Sequence, residues 1–161
     1  MLKIFNELAP FFEDVYREVS VREYAKITKV SPPTASTVLK KYEKEGILLL
    51  EKKGIYYYFR ASRNSLFVDL SRIYWKLVLR PFVSYILPQA KYGKIILFGS
   101  ASKAENTVKS DLDIYIEVPI KQINVAEYEK KLKRRIELHF MEETRNENLR
   151  RNIYKGVFLN Q

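Results

Sequence analysis

Apolar residues recur at three- and four-residue steps from the start of the chain, where Ile4, Leu8, Phe11, Phe12 and Val15 share one helical face. Pro10 falls inside that pattern and predicts a kink or a split. Ser20 then caps a short helix over residues 21–27, with Tyr24, Ala25 and Ile27 facing inward. After the tight connection at residues 28–30, Ser31 followed by Pro32 signals the start of a further helix, which ends at Gly46. Its inner stripe is Ala35, Val38, Leu39 and Tyr42, and its other side shows Thr34, Ser36, Thr37, Lys40, Lys41 and Lys44. Residues 47–51 and 55–60 flank the turn Lys52, Lys53, Gly54 and predict a β-hairpin with a basic tip. Tyr56, Tyr57 and Tyr58 read as packing residues of that hairpin rather than as a stacking platform for bases.

In the middle of the chain, Leu66, Phe67, Leu70, Ile73, Tyr74, Leu77 and Val78 form a helical stripe, with Arg72 and Trp75 off it. Pro81 starts a second short helix that runs through Leu87. So much apolar surface needs a cover: one domain, both, or a second copy in a homodimer. Beyond Lys94 the pattern is a strand over 95–98, a Gly-Ser turn with a short helix, and a strand over 112–118. An amphipathic helix follows with Val125, Tyr128, Leu132 and Ile136 inward, then a strand over 136–141 and an apolar close at 153–159. The fold class is α+β in three parts: residues 1–62, a helical connector over 63–91, and a small α/β domain with a mixed sheet over 92–161.

The candidate chemistry sits in the last part. An apolar run ends in Gly99-Ser100, and Asp111 and Asp113 open a later strand one residue apart. On an extended strand such side chains point to one face, with Cα atoms roughly 6.5–7 Å apart. Two carboxylates about 5 Å apart repel by on the order of 3 kcal/mol at an effective dielectric near 20. A proton, a cationic side chain or a divalent metal must therefore lie between them. Strand parity puts Glu137 and His139 opposite Ile136, Leu138 and Phe140, so Asp111, Asp113 and Glu137 are expected to converge on the open sheet face. Three carboxylates suit two divalent metals, Mg²⁺ (or Mn²⁺), with water and phosphate oxygens completing the oxygen shells that Mg²⁺ prefers. His139 reads as a strand residue near the site rather than as a base.

Composition narrows the partners. The formal net charge is +10, of which residues 63–94 contribute +5, and the balance fits contact with a polyanion. There is no cysteine, which removes disulfides and thiolate chemistry. The opening residues lack the apolar core of a signal peptide, and the densest apolar region, 66–87, is broken by Arg72, Lys76, Arg80 and Pro81. A cytoplasmic protein with no membrane span is expected.

Two resemblances follow from these residues. Helix, short helix, second helix and basic hairpin over about residues 3–62, with the phrase Leu39-Lys-Lys-Tyr-Glu-Lys-Glu-Gly-Ile47, resemble a winged helix-turn-helix domain. The resemblance implies binding to double-stranded DNA, with Pro33, Thr34, Ser36, Thr37, Lys40 and Lys41 as groove readers and Lys52 and Lys53 as wing contacts. Residues 92–161 resemble the minimal nucleotidyltransferase domains of the polymerase-beta-like superfamily, through Gly99-Ser100, Lys103, Ser110-Asp111-Leu-Asp113 and Ile136-Glu137-Leu138. This implies that Gly99, Ser100 and Lys103 contact the phosphates of a nucleoside triphosphate. It also implies that Asp111, Asp113 and Glu137 bind metal and carry catalysis. The reaction implied is transfer of a nucleoside monophosphate to a hydroxyl, in antitoxin-like relatives a hydroxyl of a partner protein. The alternative is a transcriptional regulator whose nucleotidyltransferase domain is inactive or only binds nucleotide. The chain departs from the family pattern at Ala104, where glycine is common, and at Glu137, where aspartate is common.

Overall fold

The computed structural model describes residues 1–91 and 93–160. It divides into two compact units, Met1–Leu70 and Ser71–Gln161, and the division falls inside one helix. None of the described helices is long and apolar enough to cross a membrane.

The first unit holds α1 (Lys3–Glu13), β1 (Glu18–Val19), α2 (Val21–Thr28), α3 (Pro32–Lys44), β2 (Leu48–Lys53) and β3 (Tyr56–Ala61). Each start has a local cause. Ser20 and Glu23 form a reciprocal capping box on α2, and the Ser31 hydroxyl accepts from the Thr34 N–H at the head of α3. Helix α3 stops at Gly46, whose φ of +72° a side chain would resist. The hairpin β2–β3 turns at Gly54, and β1 pairs with the far side of β3, giving the order β1-β3-β2. Leu8, Phe11, Phe12, Tyr24, Leu39, Tyr42, Phe59 and Phe67 are buried. Glu7 ties the helices together: its carboxylate accepts from the Tyr42 hydroxyl and its carbonyl from the Tyr24 hydroxyl. Burial, with Glu7 alongside, pushes the Tyr24 phenol up to about 12.

Several sequence expectations are corrected here. Helix α1 runs unbroken through the buried Pro10. Ile27 is exposed, because it lies two residues, about 200° of helical rotation, from the buried Ala25. Tyr56 and Tyr57 are exposed rather than packed: Tyr56 lies on the face opposite Phe59 and Ala61, and Tyr57, on their face, stands at the turn end of the hairpin beyond the core.

The helix α4 (Ser65–Val78) contains the division between the units. Its buried positions are Phe67, Ser71, Tyr74 and Trp75, an i, i+4, i+7, i+8 stripe, while Leu66 and Ile73 are exposed. The stripe read from the sequence was rotated because a buried serine sits on the true one.

The second unit continues with α5 (Arg80–Ile86), β4 (Ile95–Phe98), α6 (Gly99–Lys103), β5 (Leu112–Ile116), α7 (Ala126–Leu132), β6 (Ile136–His139), a 3₁₀ turn (Met141–Arg145), α8 (Glu147–Tyr154) and β7 (Val157–Phe158). The sheet order is β6-β5-β4-β7, with β5 and β6 parallel and the other pairs antiparallel. The parallel pair requires a crossover, which α7 supplies. Helix α7 itself buries no residue fully; Tyr128 reaches Phe82 and Tyr85 of α5, with ring centroids 5.2 Å apart in each pair. Ile136, expected on that helix and on the strand, belongs to β6.

Register sorts the strands into two faces. Ile95, Leu97, Leu112, Ile114, Ile116 and Ile136 lie on one, all buried. Ile96, Phe98, Asp113, Tyr115, Glu137 and His139 lie on the other. This second face is not open along its length, because Ile96, Phe98 and Tyr115 cluster with Ile153 of α8. Helix α8 covers the Tyr115 end and leaves the Asp113 end as the polar edge.

Candidate active site

Backbone pairing builds the polar edge. Asp113 lies opposite Phe98 on β4 and beside Glu137 on β6, and Tyr115 lies beside His139. Side chains in neighbouring register on one face converge. Asp113, Glu137 and His139 accordingly offer ligand atoms that all lie within 4.8 Å of one another. Two of the three carboxylates expected from the sequence are thus brought together, and His139, beside Tyr115 in register, joins them. Asp111 is outside this group. It precedes β5, is partly exposed, and its Oδ2 lies 4.0 Å from Nη1 of the exposed Arg135, a solvent-screened pair of little energetic weight.

Gly99 fits against Asp113. Its φ is +69°, and a Cβ added there would overlap Asp113 Oδ2 and come within 2.9 Å of Asp113 Cγ. The strand-to-helix turn can pass beside the carboxylate only because residue 99 has no side chain. Ser100 follows on the first turn of α6, partly exposed, and Lys103 ends the helix in solvent. The next residue, Ala104, is buried in a left-handed conformation with φ +54°, the setting in which glycine is the usual choice.

His139 is held on three sides. Its Nδ1 is 2.7 Å from Glu143 Oε2, its ring packs edge-on against Phe98 with centroids 4.8 Å apart, and its Nε2 is 3.8 Å from Asp113 Oδ1. That last distance makes an ion pair, beyond hydrogen-bonding range. Nε2 is buried and has no hydrogen-bond partner. The Asp113 carboxylate foremost, opposed by partial burial and helped by Glu143, lifts the imidazole from 6.5 to about 9, so the metal-free site carries an imidazolium at neutral pH.

The loop that delivers Asp111 and Asp113 is fixed from beneath by Arg134. This arginine is only 9% exposed, stacks over the Trp75 ring at 5.2 Å, and donates from Nη1 to the carbonyls of Thr107 (2.6 Å) and Ser110 (2.9 Å). Leu112 N–H then donates to the Arg135 carbonyl, which sets the β5–β6 register. Sequence reasoning missed Arg134, because one member of a run of basic residues gives no sign of burial. It missed Glu143 because one acid of a charged segment shows no partner by itself; its spacing of four from His139 was the available signal.

A divalent cation fits this edge on the chemistry of the donors: two carboxylates held close together, beside a buried nitrogen with no hydrogen-bond partner. Asp113, Glu137 and His139 are the side chains placed to hold it.

The expected DNA readers lie on α3, where Pro33, Thr34, Thr37, Lys40 and Lys41 are exposed and Ser36 is half-buried. Two of the hydroxyls are engaged locally, Thr37 with the Pro33 carbonyl and Thr34 with Ser31. On the hairpin Lys52 lies over the Tyr57 ring, whereas Lys53 is paired with Glu18 and Glu51.

Neither a curated protein nor a solved structure matches the chain. Residues 81–158, a span that takes in β4 through β7 and the whole Asp113–Glu137–His139 edge, match the family model of the nucleotidyltransferase domain, so this part of the chain is similar to nucleotidyltransferases.

Proposed function

We propose that the second unit is a divalent-metal-dependent nucleotidyltransferase that moves a nucleoside monophosphate from a nucleoside triphosphate to a hydroxyl, and that the acceptor hydroxyl belongs to a partner protein. The observation that carries this reading is Asp113 and Glu137 meeting beside the Gly99 turn, inside the matched span. The acceptor oxygen attacks the α-phosphorus, the α–β phosphoanhydride bond breaks, pyrophosphate leaves, and the hydroxyl proton passes to water. A bound divalent cation supplies charge neutralisation at the phosphate and a lowered hydroxyl pKa. Gly99 keeps the backbone close enough to the carboxylates for phosphate to be held beside them, with Ser100 and Lys103 at hand for its oxygens, as the family resemblance implies. Asp111 stands at the rim as a further carboxylate for the loaded site. Incubation with α-labelled nucleoside triphosphates, Mg²⁺ or Mn²⁺, and extract of the native cell should transfer label to a protein band. Absence of any transfer and of metal-dependent nucleotide binding would remove the enzyme reading.

For the first unit we propose a winged helix-turn-helix that binds double-stranded DNA, with α3 as reading helix and the β2–β3 hairpin as wing. Exposed Lys40, Lys41 and Lys52 support it, while Lys53 contributes less because Glu18 and Glu51 already neutralise it. Binding of four or five phosphates gives a log–log slope of affinity against salt near −4. A flat response, measured by fluorescence anisotropy from low to physiological salt, would assign the hairpin to protein contacts instead.

A further inference from the structure

We infer that His139 is a metal ligand, through Nε2, and that this nitrogen makes the cation site select Mn²⁺ over Mg²⁺. The inference rests on reading the Asp113–Glu137 edge as a divalent-cation site and adds to it which side chain completes the set and which metal follows.

Four observations carry it. A ring nitrogen of His139 falls with carboxylate oxygens of Asp113 and Glu137 in one group no wider than 4.8 Å, and Nε2 is the nitrogen that faces Asp113. Nε2 is buried without a hydrogen-bond partner, and the Asp113 oxygen it faces is 3.8 Å away. Nδ1 sits 2.7 Å from Glu143 Oε2, and the other oxygen of that carboxylate accepts the Phe140 N–H at 3.1 Å, so the acceptor is itself anchored to backbone. A carboxylate on the far ring nitrogen is the arrangement that orients ligating histidines, because it keeps the proton on Nδ1 and turns the Nε2 lone pair toward the metal. Finally, the Phe98 ring edge fixes the imidazole plane, so the nitrogen needs little ordering on binding.

The consequence is chemical. Mg²⁺ takes oxygen ligands and keeps much of its water; Mn²⁺ shares the preference for oxygen but, as a first-row transition ion, accepts a nitrogen in a mixed set more readily than Mg²⁺ does. A set of two carboxylates and one imidazole therefore departs from the three-carboxylate set that the sequence pattern implied. The rival role for His139 is an imidazolium that only balances the two carboxylates, and it predicts the opposite sign: removing it would strengthen metal binding.

The chain has one histidine, which makes the test unambiguous in untagged full-length protein. Pulsed electron paramagnetic resonance of the Mn²⁺-loaded protein should show imidazole nitrogen coupling, with His139 as its sole source. His139→Gln should abolish the coupling and weaken Mn²⁺ binding, followed by calorimetry, by about 10- to 100-fold while changing Mg²⁺ affinity by less than about threefold. Glu143→Ala should keep the coupling and weaken Mn²⁺ binding by about tenfold, which covers the case of a misfolded His139 variant. Lack of nitrogen coupling in the wild type, or equal or tighter Mn²⁺ binding in His139→Gln, overturns the inference. Asp113→Asn separates the two levels. If it removes Mn²⁺ binding although no nitrogen coupling is seen, the cation site stands and the role of His139 falls. If Mn²⁺ binding survives it, the reading of the edge as a cation site falls first.

Discussion

Gly99→Ala is expected to lower nucleotidyl transfer by about 100-fold or more while the protein still folds. The added Cβ overlaps the Asp113 carboxylate, so either the turn or the carboxylate must move, and an error of about 1 Å in a reacting centre has consequences of that size. Backbone strain is the smaller effect. An L-residue at φ +69° costs roughly 1–2 kcal/mol, which lowers the melting temperature of a domain this size by several degrees. Ala104 separates the two contributions, because at the other end of the short α6 it already holds an alanine at φ +54°. The left-handed conformation alone is thus tolerated here, and the loss in Gly99→Ala is assigned to the displaced carboxylate. Steady-state kinetics together with thermal melting checks this. An alanine variant that melts several degrees lower yet transfers nucleotide at the wild-type rate would show that Asp113 does not need its place beside the turn.

The polar edge was legible wherever strand parity and local punctuation decide position. Ile95–Phe98 is a strand as read, Gly99 turns it, and Asp113 and Glu137 share a face because β5 and β6 pair in parallel at that register. Parity also put Asp111 on that face; it stands one residue before β5, beside Arg135 and outside the three-residue group. His139 was visible as a face-mate of Glu137. Its position against Asp113 depends on the β5–β6 register and on Glu143, and both arise from tertiary pairing rather than from spacing within one segment. The face was expected to be open because the charged run before residue 153 gave no clear helix. Ile153, the one fully buried residue of α8, is enough to dock that helix on Tyr115 and close half of it. The stripe of α4 failed for a similar reason: Ser71 and Trp75 are inside, and neither a serine nor an off-period tryptophan announces a core position. Ala104 shows the physical content of a departure from the family pattern, an L-residue held left-handed where glycine would be unstrained.

Asp113→Asn should reduce transfer by about three orders of magnitude, close to 4 kcal/mol of transition-state stabilisation, with Asp111→Asn losing less. Asp113 touches three parts of the edge: it neighbours Glu137 in register, abuts Gly99, and pairs with His139. Asp111 faces Arg135 outside the cluster, and a loss as large as that of Asp113→Asn would mean that it joins the loaded site. The metal-free protein offers an independent check through pH. His139 is raised from 6.5 to about 9, first by Asp113, and it is faced by Asp113, Glu137 and Glu143. A folded-state pKa above the unfolded one adds stability that is fully present below about 6.5 and is lost as pH rises through about 9. Removing the Asp113 charge drops the imidazole toward its ordinary range, while Glu143 keeps it somewhat above. Asp113→Asn should therefore melt below the wild type at pH 6, with the gap closing by pH 9. The proton resonances of the single histidine, titrated in both proteins, should report the same downward movement. An imidazole that titrates identically in the two proteins would show that Asp113 and His139 are not paired, and the polar edge would have to be rebuilt around Glu137 and Glu143.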